Sequence, residues 1–189
     1  MEMTGSRVVP ADVETTWRAL NDPEVLKACI AGCESIERVA DNEFRVAMTA
    51  RVGPVAAKFN GRIVLSDIVP STSYTIKFDG QGGAAGFATG EAHVVLVPDG
   101  NGTRIEYQAK AQVGGKLAQI GSRLVDGAAA KVADDFFARL AERLGGAPVT
   151  AAAPSPAGAA AAQRRMWIKL ALAAALVIAM SIYWLTRPA

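Results

Sequence analysis

The chain reads as an α+β protein in which a curved antiparallel sheet wraps a long closing helix, with a transmembrane helix at the C-terminus. Three features predict this. Two short, capped helices follow an opening extended run; alternation with period two then holds from Phe44 to Ala111; and an amphipathic stretch repeating at three, four and seven closes the domain just before the composition changes.

Glu2 to Val9 is the extended run. Asp12 is placed to cap a helix that carries Val13, Trp17 and Leu20 on one side. Asn21 and Asp22 break it, and Asp22 followed by Pro23 restarts a second short helix in the favoured order of cap and first-turn proline. After "CIAGCESIERV" the pattern becomes that of strands. Phe44, Val46, Met48, Ala50 and Val52 alternate with polar residues up to a Gly53-Pro54 turn. Phe59, Gly61, Ile63 and Leu65 follow, then Tyr74, Ile76 and Phe78, then Phe87 to Val97 before a "PDGNG" turn, and finally Ile105, Tyr107, Ala109 and Ala111. These five runs carry the alternation, and six strands in all are expected after the helix pair, antiparallel and wet on one face.

One long helix is expected from about Gly115 to Leu144. Leu117, Ile120, Leu124, Val125, Ala128, Val132, Phe136, Leu140 and Leu144 form its apolar stripe, with Lys116, Arg123, Lys131, Asp134, Arg139 and Arg143 opposite. Small residues on this helix, Gly121, Gly127, Ala128 and Ala129, leave room for a cavity between helix and sheet, although small residues also permit close packing.

The domain therefore spans 1–144. The segment 145–165, with "GGAPVTAAAPSPAGAAAAQ" as its main part, is rich in Ala, Gly and Pro and builds no core; it is expected to act as a tether. Such a chain averages about 25 Å end to end and reaches roughly 65 Å when stretched. From Met166 to Leu185 the only charge is Lys169, so 166–185 reads as one helical span of about 30 Å. Trp167, Tyr183 and Trp184 stand where aromatic rings favour the headgroup level. Arg164, Arg165 and Lys169 before the span outnumber Arg187 after it, which places the domain in the cytoplasm on a single C-terminal anchor. "MEMTGSRVVP" has no basic and apolar leader that would carry the domain outward.

Of 20 Lys and Arg residues, the four at 164, 165, 169 and 187 flank or enter the span, leaving 16 against 18 acids in the rest. A net charge of −2 gives no footprint for nucleic acid. Catalytic chemistry is equally sparse. His93 is the single histidine and stands near Glu91 in a strand, with no nucleophile in a triad setting. Cys29 and Cys33 are too few for metal closure and read as reduced packing thiols. "FDGQGGAAGFATGE" lacks the lysine and serine of a phosphate loop and leads into a strand, so it reads as a hairpin, and as a mobile lip if a pocket opens beside it.

Three stretches, "ADVETTWRALNDPEVLKACIAGCESIE", "GQGGAAGFATGEA" and "AQVGGKLAQIGSRLVDGAAAKVADDFFARL", resemble the carbon monoxide dehydrogenase G-subunit family of the START-like, helix-grip superfamily. The similarity covers Met1 to about Leu144, and the third motif is the most specific. It departs from the family at "CIAGC", where members commonly read Cys-x-Pro-Gly; Ala31 in place of proline is expected to loosen the turn at Gly32. The resemblance implies a non-catalytic protein that brings a molybdenum hydroxylase of the carbon monoxide dehydrogenase type to the membrane. It also implies a cavity for respiratory quinone, carried as a ligand, that links carbon monoxide oxidation to electron transport. On that reading Phe59, Ile63, Phe78, Phe87, Leu117, Ile120 and Leu124 form apolar walls, and Tyr107 or Gln119 hydrogen-bonds a ring carbonyl. Two alternatives remain open, an adaptor with a solid core and an enzyme acting on a hydrophobic ring.

Overall fold

A computed structural model describes residues 1–145; the tether and the membrane span expected beyond Gly145 lie outside the described residues. The chain runs β1 (Glu2–Val9), α1 (Val13–Leu20), α2 (Pro23–Cys29), β2 (Cys33–Ala40), β3 (Glu43–Val52), β4 (Val55–Val69), β5 (Ser73–Gln81), a single 3-10 turn (Gly83–Ala85), β6 (Phe87–Asp99), β7 (Gly102–Gly114), α3 (Lys116–Gln119) and α4 (Ser122–Arg143).

Both early helices start as their caps dictate. Asp12 accepts from the Thr15 amide at 2.8 Å, and Asp22 accepts from the Glu24 amide at 2.8 Å with Pro23 in the first turn. The helix pair carries the chain across the sheet, so that β1 pairs with β7 and the seven strands lie in the order β1-β7-β6-β5-β4-β3-β2, all antiparallel. The first strand after the helices is β2, over the stretch that precedes the clear alternation. Only Ile36 of β2 is buried and its last four residues are exposed, so it carries little of the period-two signal.

Register puts the alternating apolar residues on one face. Phe44, Val46, Leu65, Tyr74, Val94, Leu96 and Ile105 are buried there with Val9, Leu20, Cys29, Phe137, Leu140 and Ala141. Thr16 and Thr103, both fully buried, each donate a hydroxyl to the Ala11 carbonyl, at 3.4 and 2.7 Å, fastening β7 to the β1–α1 corner.

The closing helix is not continuous. It breaks at Ile120–Gly121, where Gly121 has φ 92°, into a single turn and a 22-residue helix. A left-handed backbone there ends one helix and begins the next, which only glycine does without strain. The buried stripe of α4 is Val125, Phe137, Leu140 and Ala141, whereas Leu124 and Val132, which the heptad-like spacing places inside, are 51% and 44% exposed.

Candidate functional site: the open end of the grip

Along the strands the helix-facing side of the sheet changes character. At one end the large residues of the core are buried to below a tenth of their surface. Toward the other end three rows cross the sheet. Met3, Ala109, Ala92 and Ile76 make the first; Ala111, Gly90, Phe78 and Ile63 the second; Val113, Ala88, Gly80 and Gly61 the third. Seven of these twelve residues are alanine or glycine, and all twelve are only half-buried. Helix α4 meets the flanking strands β1 and β3 and the helix α2 more closely than it meets the middle strands. Small residues beneath a helix that rests mainly on the flanking strands are what a hollow between helix and sheet would use, and here they remain partly exposed.

Three segments rim this end. The β3–β4 turn holds Gly53, and Leu124 of α4 reaches it, its Cδ1 3.5 Å from where a Gly53 β-carbon would stand. The 3-10 turn packs against β4 and α3. It is tied by the Gly82 amide to the Gly86 carbonyl at 2.8 Å. Gly86 and Gly115 approach so closely that a β-carbon at Gly115 would lie 2.6 Å from the Gly86 Cα, so the "GQGGAAG" loop and the β7–α3 corner are one packed unit. Leu117 and Ala85, 5% and 6% exposed, are buried within it.

The nine residues singled out from sequence fall into distinct places. Phe59, Ile63 and Phe78 share the half-buried inner face. Leu117 is buried beside the 3-10 turn, while Ile120 and Gln119 stand at the helix break, half-buried and exposed. Leu124 is on the rim and not in the wall, because the break at Gly121 resets the helical phase. Phe87 is a correction: it belongs to the odd-numbered set of β6 with Glu91 and His93, opposite to buried Val94 and Leu96, so it points to the face away from the helix. There it is 40% exposed and covers Gly114, whose β-carbon would meet its Cε1 at 2.1 Å.

Tyr107 lies one row toward the core. Its ring stacks on Phe137 with centroids 5.4 Å apart, and its hydroxyl sits over Gly5. Burial pushes its phenol up, with Asp134 adding to this and the Arg7 guanidinium opposing it. Arg7 itself is engaged by Asp134 of α4 and by the Ser6 carbonyl at 2.8 Å. Seven residues of strand, about 23 Å, separate Tyr107 from Gly114 and the rim, so Tyr107 and Gln119 are at opposite ends of this half-buried face.

An open recess of about 520 Å³ is lined by Glu2, Lys77, Thr89, Glu91, Lys110 and Gln112 of the opposite face, together with Met1 and with Phe78, Gly90 and Ala111 of the second row. Lys77, Glu91, Lys110 and Glu2 pair in register across four strands, an alternating charge row that balances itself. His93 is exposed on this same face, with Nδ1 3.3 Å from the Thr75 hydroxyl. Cys29 and Cys33 are free thiols, and burial pushes both up. Among the described residues no cluster of three metal-ligating side chains occurs, and no helix is long and apolar enough to cross a membrane.

An antiparallel sheet gripping a C-terminal helix defines the START-like class of helix-grip domains. A START superfamily protein from Mycobacterium smegmatis has this fold at TM-score 0.58 and 15% identity, over 76% of this chain and 96% of that one. So does an aromatase/cyclase from Streptomyces sp. R1128, at 0.57 and 10%, over 76% and 93%. A conserved protein from Geobacillus kaustophilus is nearer, with TM-score 0.72 and 32% identity over 76% of this chain and 95% of that one. Residues 5–145 match the family of the carbon monoxide dehydrogenase G subunit, CoxG, and the chain belongs to that family. No curated protein matches it.

Proposed function

We propose that this protein is a membrane-anchored, non-catalytic carrier. It takes respiratory quinone into the hollow between sheet and α4 and brings it to a cytosolic molybdenum hydroxylase of the carbon monoxide dehydrogenase type. The observation that carries the reading is the change along the inner face from a filled core to three half-buried rows dominated by alanine and glycine. A hollow so lined gains about 25 cal/mol for each Å² of apolar ligand surface it removes from water. The family assignment supports the choice of enzyme partner. The apolar segment 166–185 and the basic residues before it support an anchor in the cytoplasmic membrane with the domain on the cytoplasmic side.

The test compares the full-length chain with Ala92→Phe and Ala109→Phe variants, all purified in the same detergent and extracted with organic solvent. Mass spectrometry is expected to find near-stoichiometric quinone with the natural chain and little with the filled variants. Equal quinone in all three identifies it as detergent-borne and sinks the carrier reading. If docking of the hydroxylase then persists without ligand, the protein is an adaptor.

A further inference from the structure

We infer that the hollow binds its ligand tail first, with the hydrocarbon part on the floor of β4 to β7 and the polar ring at the rim beside α3. This rests on the carrier reading above and adds the direction of binding and the floor residues Ala88, Gly90, Ala92, Ala109 and Ala111.

The argument is one of hydrogen-bond supply. The three half-buried rows contain no polar side chain; their larger members are Met3, Ile76, Phe78, Ile63 and Val113. Their backbone groups are engaged in the ladders. Toward the core the polar strand side chains facing inward are Arg7, Arg38, Tyr74, Thr103 and Tyr107; Thr103 donates to the Ala11 carbonyl and Arg38 to the Asn21 and Asp41 carbonyls. Arg7 is already held by Asp134 and the Ser6 carbonyl, and Tyr74 is 4% exposed with Trp17 edge-on against it. Among the described inward-facing strand residues Tyr107 is thus the donor left over, pinned between Phe137 and Gly5. A quinone carries two carbonyl oxygens on opposite sides of its ring. Inserted ring first, it buries at least one of them with no donor, a loss that an apolar floor cannot offset. Inserted tail first, nothing on the tail needs a partner.

The rim supplies what the interior lacks. Lys116, Gln119, Ser122 and Arg123 stand on the two helix ends and Arg51 beside the β3–β4 turn; all are exposed. None of these three cations pairs with an acid among the described residues; Asp126, one turn along α4 from Arg123, is the nearest opposing charge in sequence. The ring carbonyls can therefore keep water or side-chain donors while the tail leaves water.

Two photoreactive benzoquinone probes with a ten-carbon tail decide this, one with a diazirine at the tail end and one with it on the ring. The full chain in lipid nanodiscs is irradiated with each, and labelled peptides from residues 1–145 are mapped. The expected pattern is labelling of Ile63, Ile76 to Phe78 and Ala109 from the tail end, and of residues 116–124 and 51–55 from the ring, each at least fivefold above the reverse. The reverse pattern overturns tail-first binding and leaves the carrier reading standing. Labelling of neither region that excess unlabelled quinone suppresses overturns both.

Discussion

The ring of Phe78 on β5 covers Gly90 on β6 so fully that a β-carbon at Gly90 would lie 2.8 Å from Phe78 Cζ and 2.2 Å from the Lys110 carbonyl oxygen. The relation recurs: Phe59 covers Gly82, Tyr107 covers Gly5 and Phe87 covers Gly114, each within 2.3 Å of the missing carbon. A ring seated on a glycine fills the gap left by an absent side chain and lets the sheet bend there. Three of these four rings face the helix, so glycine spacing sets how low the aromatic rings lie on the inner face.

The four seats differ in what blocks a side chain, and this gives a first prediction. At Gly82 the obstructing atoms all belong to the Phe59 ring, whereas at Gly90 the nearest is a backbone carbonyl. Gly82→Ala is expected to cost about 1–3 kcal/mol in urea unfolding and to recover most of it with Phe59→Leu. Gly90→Ala is expected to cost about 3 kcal/mol or more, with no recovery from Phe78→Leu. Equal rescue at both sites would refute the backbone argument.

The same residues show what a sequence discloses. Alternation in β3, β5 and β7 places Phe44, Tyr74 and Ile105 on the core face, because polar neighbours flank each of them. In β6, His93-Val94-Val95-Leu96-Val97 is apolar at both parities. Nothing in that run says which side faces the helix, and Phe87 is assigned to the wrong one. Gly121 is likewise silent: a glycine within a three-four repeat reads as a tolerated helix residue until its φ of 92° is known. That single dihedral moves Leu124 from wall to rim. The floor of Ala88, Gly90, Ala92, Ala109 and Ala111 has no sequence signal of its own, since small residues mark a cavity only once register sets them side by side.

Leu124 gives the second prediction. It is half-exposed yet touches the β3–β4 turn at Gly53, so it bridges the rim without supporting the core. Leu124→Ala is expected to change stability by less than about 0.5 kcal/mol while speeding release of a bound quinone severalfold in stopped-flow exchange. Unchanged release would mean that the ligand leaves by another opening.

The pH dependence of stability is the third. Burial raises the thiols of Cys29 and Cys33 and the phenols of Tyr74 and Tyr107. Between the unfolded and folded values of each group the folded chain holds more protons, so stability falls as pH rises. The decline should begin near pH 8.5, where an unfolded cysteine titrates, and steepen above about pH 10 with the tyrosines. At the acid end the signs reverse. Hydrogen bonds hold down Asp12 through Thr15, Glu34 through Lys58 and Thr49, and Glu43 through Arg62, and their contribution is lost as pH drops below about 4. Urea midpoints from pH 3 to 10.5 check both limbs; a flat profile above pH 9 would contradict the alkaline one.

The turn at Ala31 and Gly32 supplies the last prediction. Reading alanine in place of the family's usual proline implies a loosened turn, yet the Cys33 amide bonds the Ile30 carbonyl at 3.2 Å and Gly32 has φ 75°, as a closed type II turn requires. Gly32 is held there by more than its dihedral. Its carbonyl accepts from the Thr49 amide at 2.9 Å, and a β-carbon would stand 2.1 Å from the Thr49 carbonyl oxygen. Position 31 is the one at which type II turns favour proline, and the conditions for it are already met. Ile30 sits at φ −79°, ψ 116°, the basin a residue before proline must occupy, and the Ala31 amide donates no backbone hydrogen bond among the described residues. Ala31→Pro should therefore stabilise the domain by about 0.4–1 kcal/mol through the unfolded chain. Gly32→Ala should destabilise it by about 2 kcal/mol or more through strain and the clash with Thr49. Thermal midpoints of the two variants measure this, and a fall in both would show that the turn depends on a freedom at residue 31 that proline removes.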